Sequence, residues 1–238
     1  MPPQPLSSIR EHPSRLDIGP HTLRQQPDLA TLVMDVISTW SSADLTVVEL
    51  ISNMLEADFE IVAIMLGALR SAEGKRAAID ATAKVRLAAD PELLSLFEAV
   101  MKVTKASRSR RNDFAHHVWA SCPDIPKSLC LIDPRYMGRF FSELSRYRRG
   151  VPKRTPVGLR LQSPDFDYSN VLVFRKKDFE EESKNARRAA RLMTDLRLAL
   201  DANHPASAER RALLENDPDI QRLLRQQSTQ IPPTTLGR

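Results

Sequence analysis

A long helical pattern runs through residues 90–119, DPELLSLFEAVMKVTKASRSRRNDFAHHVW. Its first three residues favour a helix start, because they supply a capping side chain, a proline suited to the first position and an acid in the first turn. Apolar residues then recur at helical spacing over the following turns. After Pro91, the next Gly or Pro in the sequence is Pro123. The helix is therefore expected either to continue to the end of this stretch or to break at 107–109 and restart.

Further helices are predicted on both sides of this stretch. Their apolar residues repeat at helical spacing, and several of them begin at a capping Asp or Ser. The predicted helices cover residues 28–40, 42–55, 58–69, 75–89, 139–148 and 178–201, with two short pieces around Leu213 and Leu223. The helix at 58–69 is apolar on most of its sides, which predicts a central position in the core.

Two short apolar runs predict strands. Residues 170–175 contain Val-Leu-Val-Phe and form the better candidate, and residues 128–133 form the other. The two runs are expected to pair as a small ribbon, inside a loop-rich insertion at about 121–176 whose residues 149–170 are expected to be loop. The predicted fold class is therefore mainly α, a helical bundle with a small two-stranded insertion.

The predicted domain organisation has three parts. Residues 1–27 contain six prolines and are expected to form an irregular or disordered leader. Residues 28–201 form the helical domain that carries the insertion. Residues 202–238 contain the two short helical pieces and end in a tail that is expected to be disordered.

Composition excludes several classes of protein. The longest uncharged apolar run, Ile61–Leu66, is far shorter than the ~20 residues that cross a bilayer, and no signal segment opens the chain, so a cytoplasmic location without membrane contact is expected. Cys122 and Cys130 fit reduced thiols better than a disulfide or a zinc site. No Gly-rich phosphate loop or nucleophile elbow is present, and no cofactor is predicted.

Positive charge is concentrated in one part of the chain. Residues 28–100 carry 5 Lys and Arg against 12 Asp and Glu, a net charge of −7. Residues 101–160 carry 14 against 4, a net charge of +10. A concentrated positive potential attracts polyanions, so this stretch is either a surface for nucleic acid or an acidic partner, or a solvated basic face.

Within the basic stretch, Arg111, Asn112 and His116 have the residue types that cleave RNA without a metal. A histidine takes or gives protons near neutral pH, and an arginine keeps its charge and donates a planar set of hydrogen bonds to phosphate. On a helix, Asn112 and His116 are neighbours on one face, while Arg111 lies roughly 140° around from His116. The long arginine side chain can still reach a shared cleft, particularly one that a second subunit completes.

Similar Arg–His spacings occur at Arg15/His21 and Arg197/His204, so the spacing alone is not distinctive. Three circumstances set Arg111 apart from these pairs. A polar residue follows it directly, the segment is predicted to be helical, and the segment lies in the basic stretch.

With these features the chain resembles the HEPN family, whose helical domains carry an Arg, a polar residue and a His four to six positions on. The resemblance covers residues 28–120 and the helix at 178–201. It implies a helical bundle that is usually dimeric, with motif residues of two subunits meeting at the dimer seam. Many members are metal-independent endoribonucleases that act as toxins, RNA-processing factors or antiviral effectors. By position, Arg111 corresponds to the phosphate-stabilising arginine, Asn112 to the polar residue and His116 to the catalytic histidine.

Several further residues have two interpretations each. The basic residues expected to attract RNA are Arg108, Arg110, Arg146, Arg148, Arg149, Lys153 and Arg154, the last five forming a loop that either grips phosphates or is only solvated. Trp119 either stacks on a base or anchors the core or a dimer seam. Asp113 and His117 have the spacing of two metal ligands but lack a third, so no metal is predicted.

The predicted function is a metal-independent endoribonuclease acting on RNA, completed by homodimerisation and related to toxins or defence. A protein antitoxin or another regulatory partner is compatible with this function, although the sequence identifies none. The alternatives are a non-catalytic helical module that dimerises and binds RNA or a protein, and a scaffold whose basic stretch meets an acidic protein.

Overall fold

The computed structural model describes residues 3–11, 13–150 and 165–228. These residues form ten α-helices and a five-stranded antiparallel sheet, so the prediction of a mainly helical fold is confirmed. The helices are α1 Leu6–Ile9, α2 His21–Gln25, α3 Pro27–Leu55, α4 Phe59–Ala68, α5 Ala72–Arg86, α6 Pro91–His116, α7 Pro134–Gly150, α8 Lys176–Leu200, α9 Ser207–Glu215 and α10 Pro218–Ser228. The strands are β1 Gln4–Pro5, β2 Asp17–Ile18, β3 Val118–Ser121, β4 Ser128–Ile132 and β5 Val171–Arg175.

Helix α6 begins where the sequence predicts and runs without a break. The Asp90 carboxylate accepts a hydrogen bond from the backbone N–H of Leu93 at 2.9 Å, which caps the first turn. The suggested break at 107–109 does not occur, because Ser107 is buried and its hydroxyl accepts a hydrogen bond from the Trp40 indole at 3.0 Å. The helix ends at His116, so the alternative of a helix through residue 119 is also wrong.

The predicted helices 28–40 and 42–55 form the single helix α3. The serines between them were expected to cap a second helix, but the Ser42 hydroxyl instead donates to the Ser38 carbonyl one turn earlier, at 3.4 Å. A serine that bonds back in this way stays inside a helix. Buried Trp40 and Ala43 carry the apolar face across the junction.

Helix α4 does not occupy the predicted central position. Only Val62 and Leu66 are buried, whereas Ile61 and Ile64 are 60% and 66% exposed. Hydropathy identified an apolar helix correctly but does not say how many of its sides other elements cover.

The sheet has the order β1-β5-β4-β3-β2, and every pair is antiparallel. Its centre is the predicted ribbon of β4 and β5, with Ser128 opposite Arg175 and Ile132 opposite Val171. The prediction of only two strands is wrong, because β3 joins β4 and the leader at residues 1–27 supplies β1 and β2. Strands of two residues are too short to show an alternating pattern, and Pro5 is tolerated because β1 is an edge strand.

The chain divides into two compact units. The sheet unit comprises Met1–Ile37 and Arg110–Lys184, and the helical unit comprises Ser38–Ser109 and Asn185–Arg238. Cys122 and Cys130 are buried free thiols in the apolar core beside the sheet, and burial raises the pKa of Cys130 to about 12.

Among the described residues, none of the helices combines the length and the hydropathy that crossing a bilayer requires. The short helical pieces predicted around Leu213 and Leu223 are confirmed as α9 and α10. The tail that was expected to be disordered falls largely on 229–238, and most of the expected loop 149–170 falls on 151–164; both segments lie outside the described residues.

Candidate nucleic-acid and catalytic site

The Arg-Asn-x-x-x-His motif lies at the carboxyl end of α6, in the sheet unit. Arg111 and Asn112 are partly buried and His116 is exposed. Because a helix rises 1.5 Å per residue, Arg111 and His116 are about 7.5 Å apart along the helix axis. Asn112 lies one turn before His116 on the same face. His116 is therefore open to solvent at the point where the chain leaves the helix for β3.

A cluster of aromatic rings fixes the end of α6. Phe114 is buried, and its ring centre lies 5.4 Å from Phe174 of β5, 5.5 Å from Phe179 of α8 and 5.9 Å from Trp119 of β3. Trp119 also lies 6.4 Å from Phe179. Of the two interpretations of Trp119, these contacts favour the core anchor. They also hold the motif turn on a rigid support.

Arg110 connects α6 to α8 within the sheet unit. Its Nε lies 3.1 Å from a Glu182 carboxylate oxygen, and an Nη lies 3.2 Å from an Asp113 carboxylate oxygen. The guanidinium carbon also sits 5.4 Å from the centre of the Phe174 ring. Two nearby carboxylates offset the charge of Arg110, so this residue has less attraction left for RNA than its sequence position indicated.

His117 differs from its neighbour His116. It is partly buried, and its Nδ1 lies 3.9 Å from an Asp113 carboxylate oxygen. The pKa of Asp133 is lowered to about 2, chiefly by hydrogen bonds from Arg135, and the charge of nearby His117 makes a small contribution in the same direction. Among the described residues, no group of three or more His, Cys, Asp or Glu side chains is placed to hold a metal ion.

Arg108, a further predicted RNA contact, lies in the helical unit. Its guanidinium is 3.7 Å from the Asp44 carboxylate, and its central carbon is 5.4 Å from the Trp40 ring centre. Like Arg110, it contributes to packing and charge balance within its own unit.

The predicted basic loop at 146–154 is partly helical. Arg146, Arg148 and Arg149 are exposed in the last turns of α7, which extends over 134–150 instead of the predicted 139–148. Lys153 and Arg154 lie outside the described residues. Arginines on a helix have a fixed spacing, unlike arginines in a loop, so they can form a regular basic surface.

Exposed residues of α7 form a basic stripe along one face of the helix. The residues at intervals of four, three, four and three along the outer face of α7 are all exposed: Arg135, Arg139, Ser142, Arg146 and Arg149. Arg135 also pairs with Asp133 at 2.6 Å. Neither Arg135 nor Arg139 was predicted to contact RNA; Arg139 already lay in the predicted helix 139–148, and Arg135 joins it when the helical period is extended back to Pro134.

Beside the stripe lies a shallow groove of about 330 Å³, lined by Phe141, Ser142, Ser145, Arg146 and Arg149. Phe141 is 53% exposed. An exposed ring among arginines offers a nucleotide both a stacking surface and charge for its phosphate. We call this surface, the stripe with its groove, the α7 basic face.

The chain matches no protein-family model, and searches of curated proteins and of solved structures give no match either.

Proposed function

We propose that the protein is a metal-independent endoribonuclease of HEPN type, with its active site completed by a second copy of the chain. The observation that supports this most is the exposure of His116 one helical turn from Asn112, at a helix end held in place by buried Phe114. A solvent-open imidazole on the same helix end as a partly buried arginine is suited to a flexible, anionic substrate.

The proposed reaction is transfer through the ribose 2′-hydroxyl. His116 accepts the proton as the 2′-oxygen attacks the phosphorus and the bond to the 5′-oxygen breaks. Arg111 stabilises the additional negative charge on the phosphorane, and Asn112 orients the phosphate or the imidazole. The leaving 5′-oxygen takes a proton from an acid, for which the motif of the second copy is the proposed source. The products are a 2′,3′-cyclic phosphate and a 5′-hydroxyl.

The α7 basic face is proposed to attract the RNA. Arg146 and Arg149 are exposed there, Arg148 is exposed elsewhere on the same helix, and Lys153 and Arg154 follow them in the sequence. Such contacts position a phosphate backbone without selecting a base sequence. Arg108 and Arg110 keep a smaller proposed role, because carboxylates lie beside both of them. A cytoplasmic role in defence, or as a toxin with a regulatory partner, belongs to the same proposal.

Purified protein is expected to cleave a labelled RNA oligonucleotide in the presence of EDTA, at a rate equal to that in magnesium. The reason is that the proposed groups, an imidazole and a guanidinium, perform the chemistry without a bound ion. Gel analysis over time measures the rate. A requirement for added divalent metal, or intact RNA after prolonged incubation, contradicts the proposal.

A second function, a non-catalytic module that binds RNA, is favoured by the α7 basic face alone. The arginines of the α7 basic face are suited to binding phosphates, but an arginine does not transfer protons near neutral pH. Salt-sensitive RNA binding without cleavage, unchanged when His116 is replaced, would support the module over the nuclease.

A further inference from the structure

The outer face of α4 is apolar and open to solvent. Ile61, Ile64, Met65 and Ala68 follow the spacing i, i+3, i+4, i+7, and all four are exposed, the first three at 60%, 66% and 43%. The opposite face of α4 packs inside the helical unit through the buried residues of the helix. The helix is thus apolar on two sides, and among the described residues only one of these sides is covered.

This spacing is typical of a helix face that packs against another element. A helix at the surface of a monomer normally carries polar residues at such positions, and contiguous exposed apolar patches mark interaction sites. A second helix can approach the patch closely, because Ala68 is small and the space beside the neighbouring Gly67 is open. A Cβ added to Gly67 would meet nothing within 4 Å. The face therefore has room for a second helix.

The charges at the two ends of α4 point to the occupant. Glu60 lies in the first turn, next to the apolar stripe, and Arg70 follows the carboxyl end of the helix; both are exposed. A two-fold interface must be complementary to itself, so a patch with opposite charges at its two ends is suited to an antiparallel copy of the same patch. Antiparallel helices also place opposite dipole ends side by side.

We infer that α4 pairs with α4 of a second copy of this chain, antiparallel and about a two-fold axis between Ile64 and Met65. In this arrangement Ile61 of each copy packs over Ala68 of the other. Glu60 of each copy lies beside Arg70 of the other, so the ion pair forms twice. The contact lies in the helical unit and does not depend on the proposed nuclease function, whose motif is in the sheet unit.

The interface is expected to be of modest strength, because a standard interface buries about 800 Å² per partner and a three-turn helix supplies only the centre of such an area. Dimerisation in the micromolar range follows, and it is measurable by sedimentation equilibrium or light scattering between about 1 and 100 µM. The full chain is used throughout.

The decisive variant is Ile64→Glu, with Val85→Glu as its matched control. Both side chains are exposed, at 66% and 74%, so each variant is expected to keep its fold, which circular dichroism checks. Ile64→Glu is expected to raise the dissociation constant at least about 30-fold, since it places a charge at the centre of the contact. The average mass at a given concentration then falls, whereas Val85→Glu, on α5, keeps the wild-type mass.

Charge reversal tests the antiparallel arrangement. Glu60→Arg and Arg70→Glu are each expected to weaken the dimer, and the double variant is expected to restore it. A monomeric wild-type chain at 100 µM overturns the inference, and so does an Ile64→Glu variant that retains the wild-type mass. Failure of the nuclease proposal gives a different result, because inactive wild-type protein would still show the mass change with Ile64→Glu.

Discussion

Replacement of His116 by alanine is expected to lower the rate of RNA cleavage at least about 100-fold, the usual contribution of a positioned acid or base. His116 is exposed at the end of α6, so its removal leaves no cavity and exposes no buried partner. Stability and RNA affinity are therefore expected to remain near those of the wild type. Initial rates in EDTA measure the effect, with thermal melting as the check on folding.

His117→Ala provides the matched control for this prediction. It removes the same side chain one position later, where the imidazole is partly buried near Asp113. Cleavage by His117→Ala is expected to stay within a few-fold of the wild type. Equal rates for His116→Ala and the wild type would identify a contaminating nuclease, and selective loss with His117→Ala would move the chemistry to the other histidine.

The second large effect is expected at Phe114. Phe114→Ala removes a buried ring that contacts three other aromatic rings, and such truncations cost about 3–5 kcal/mol of the free energy of unfolding. Urea unfolding, followed by tryptophan fluorescence, measures the change. Trp119 is one of the contacting rings, so this part of the sheet unit contributes to the signal together with Trp40 of the helical unit.

Phe141→Ala is the matched control, since its ring is 53% exposed on α7. Its cost is expected to be about 1 kcal/mol or less, because little surface leaves the core. Similar destabilisation by the two variants would show that the aromatic cluster does not anchor the end of α6. If the cluster does anchor it, Phe114→Ala also reduces cleavage, although Phe114 contacts no substrate.

The sequence was most informative where several local signals agreed. At the start of α6 the cap, the proline and the apolar period all indicated the same helix, and the Asp90 cap is present. The ribbon of β4 and β5 was likewise found, because five-residue apolar runs are long enough to show a pattern. The strands β1 and β2 were missed because each has two residues and forms only through its partner.

Burial and charge pairing were the properties that local sequence did not determine. Helix α4 has the composition of a core helix, yet its coverage depends on elements far away in the chain. Arg110 was predicted to attract RNA, but Glu182, 72 residues later, pairs with it. Conversely, Arg135 belongs to the α7 basic face only because that helix begins at Pro134, five residues before the predicted start.

Cleavage of RNA through the 2′-hydroxyl is tested by removing that hydroxyl at a single position. The bond that the protein cleaves in EDTA is first mapped in an RNA oligonucleotide, and a single 2′-deoxy nucleotide is then placed on the 5′ side of that bond. Cleavage at this bond is expected to disappear, while other cleaved bonds in the same oligonucleotide are cut as before. Continued cleavage at the 2′-deoxy position would contradict the mechanism assigned to Arg111 and His116.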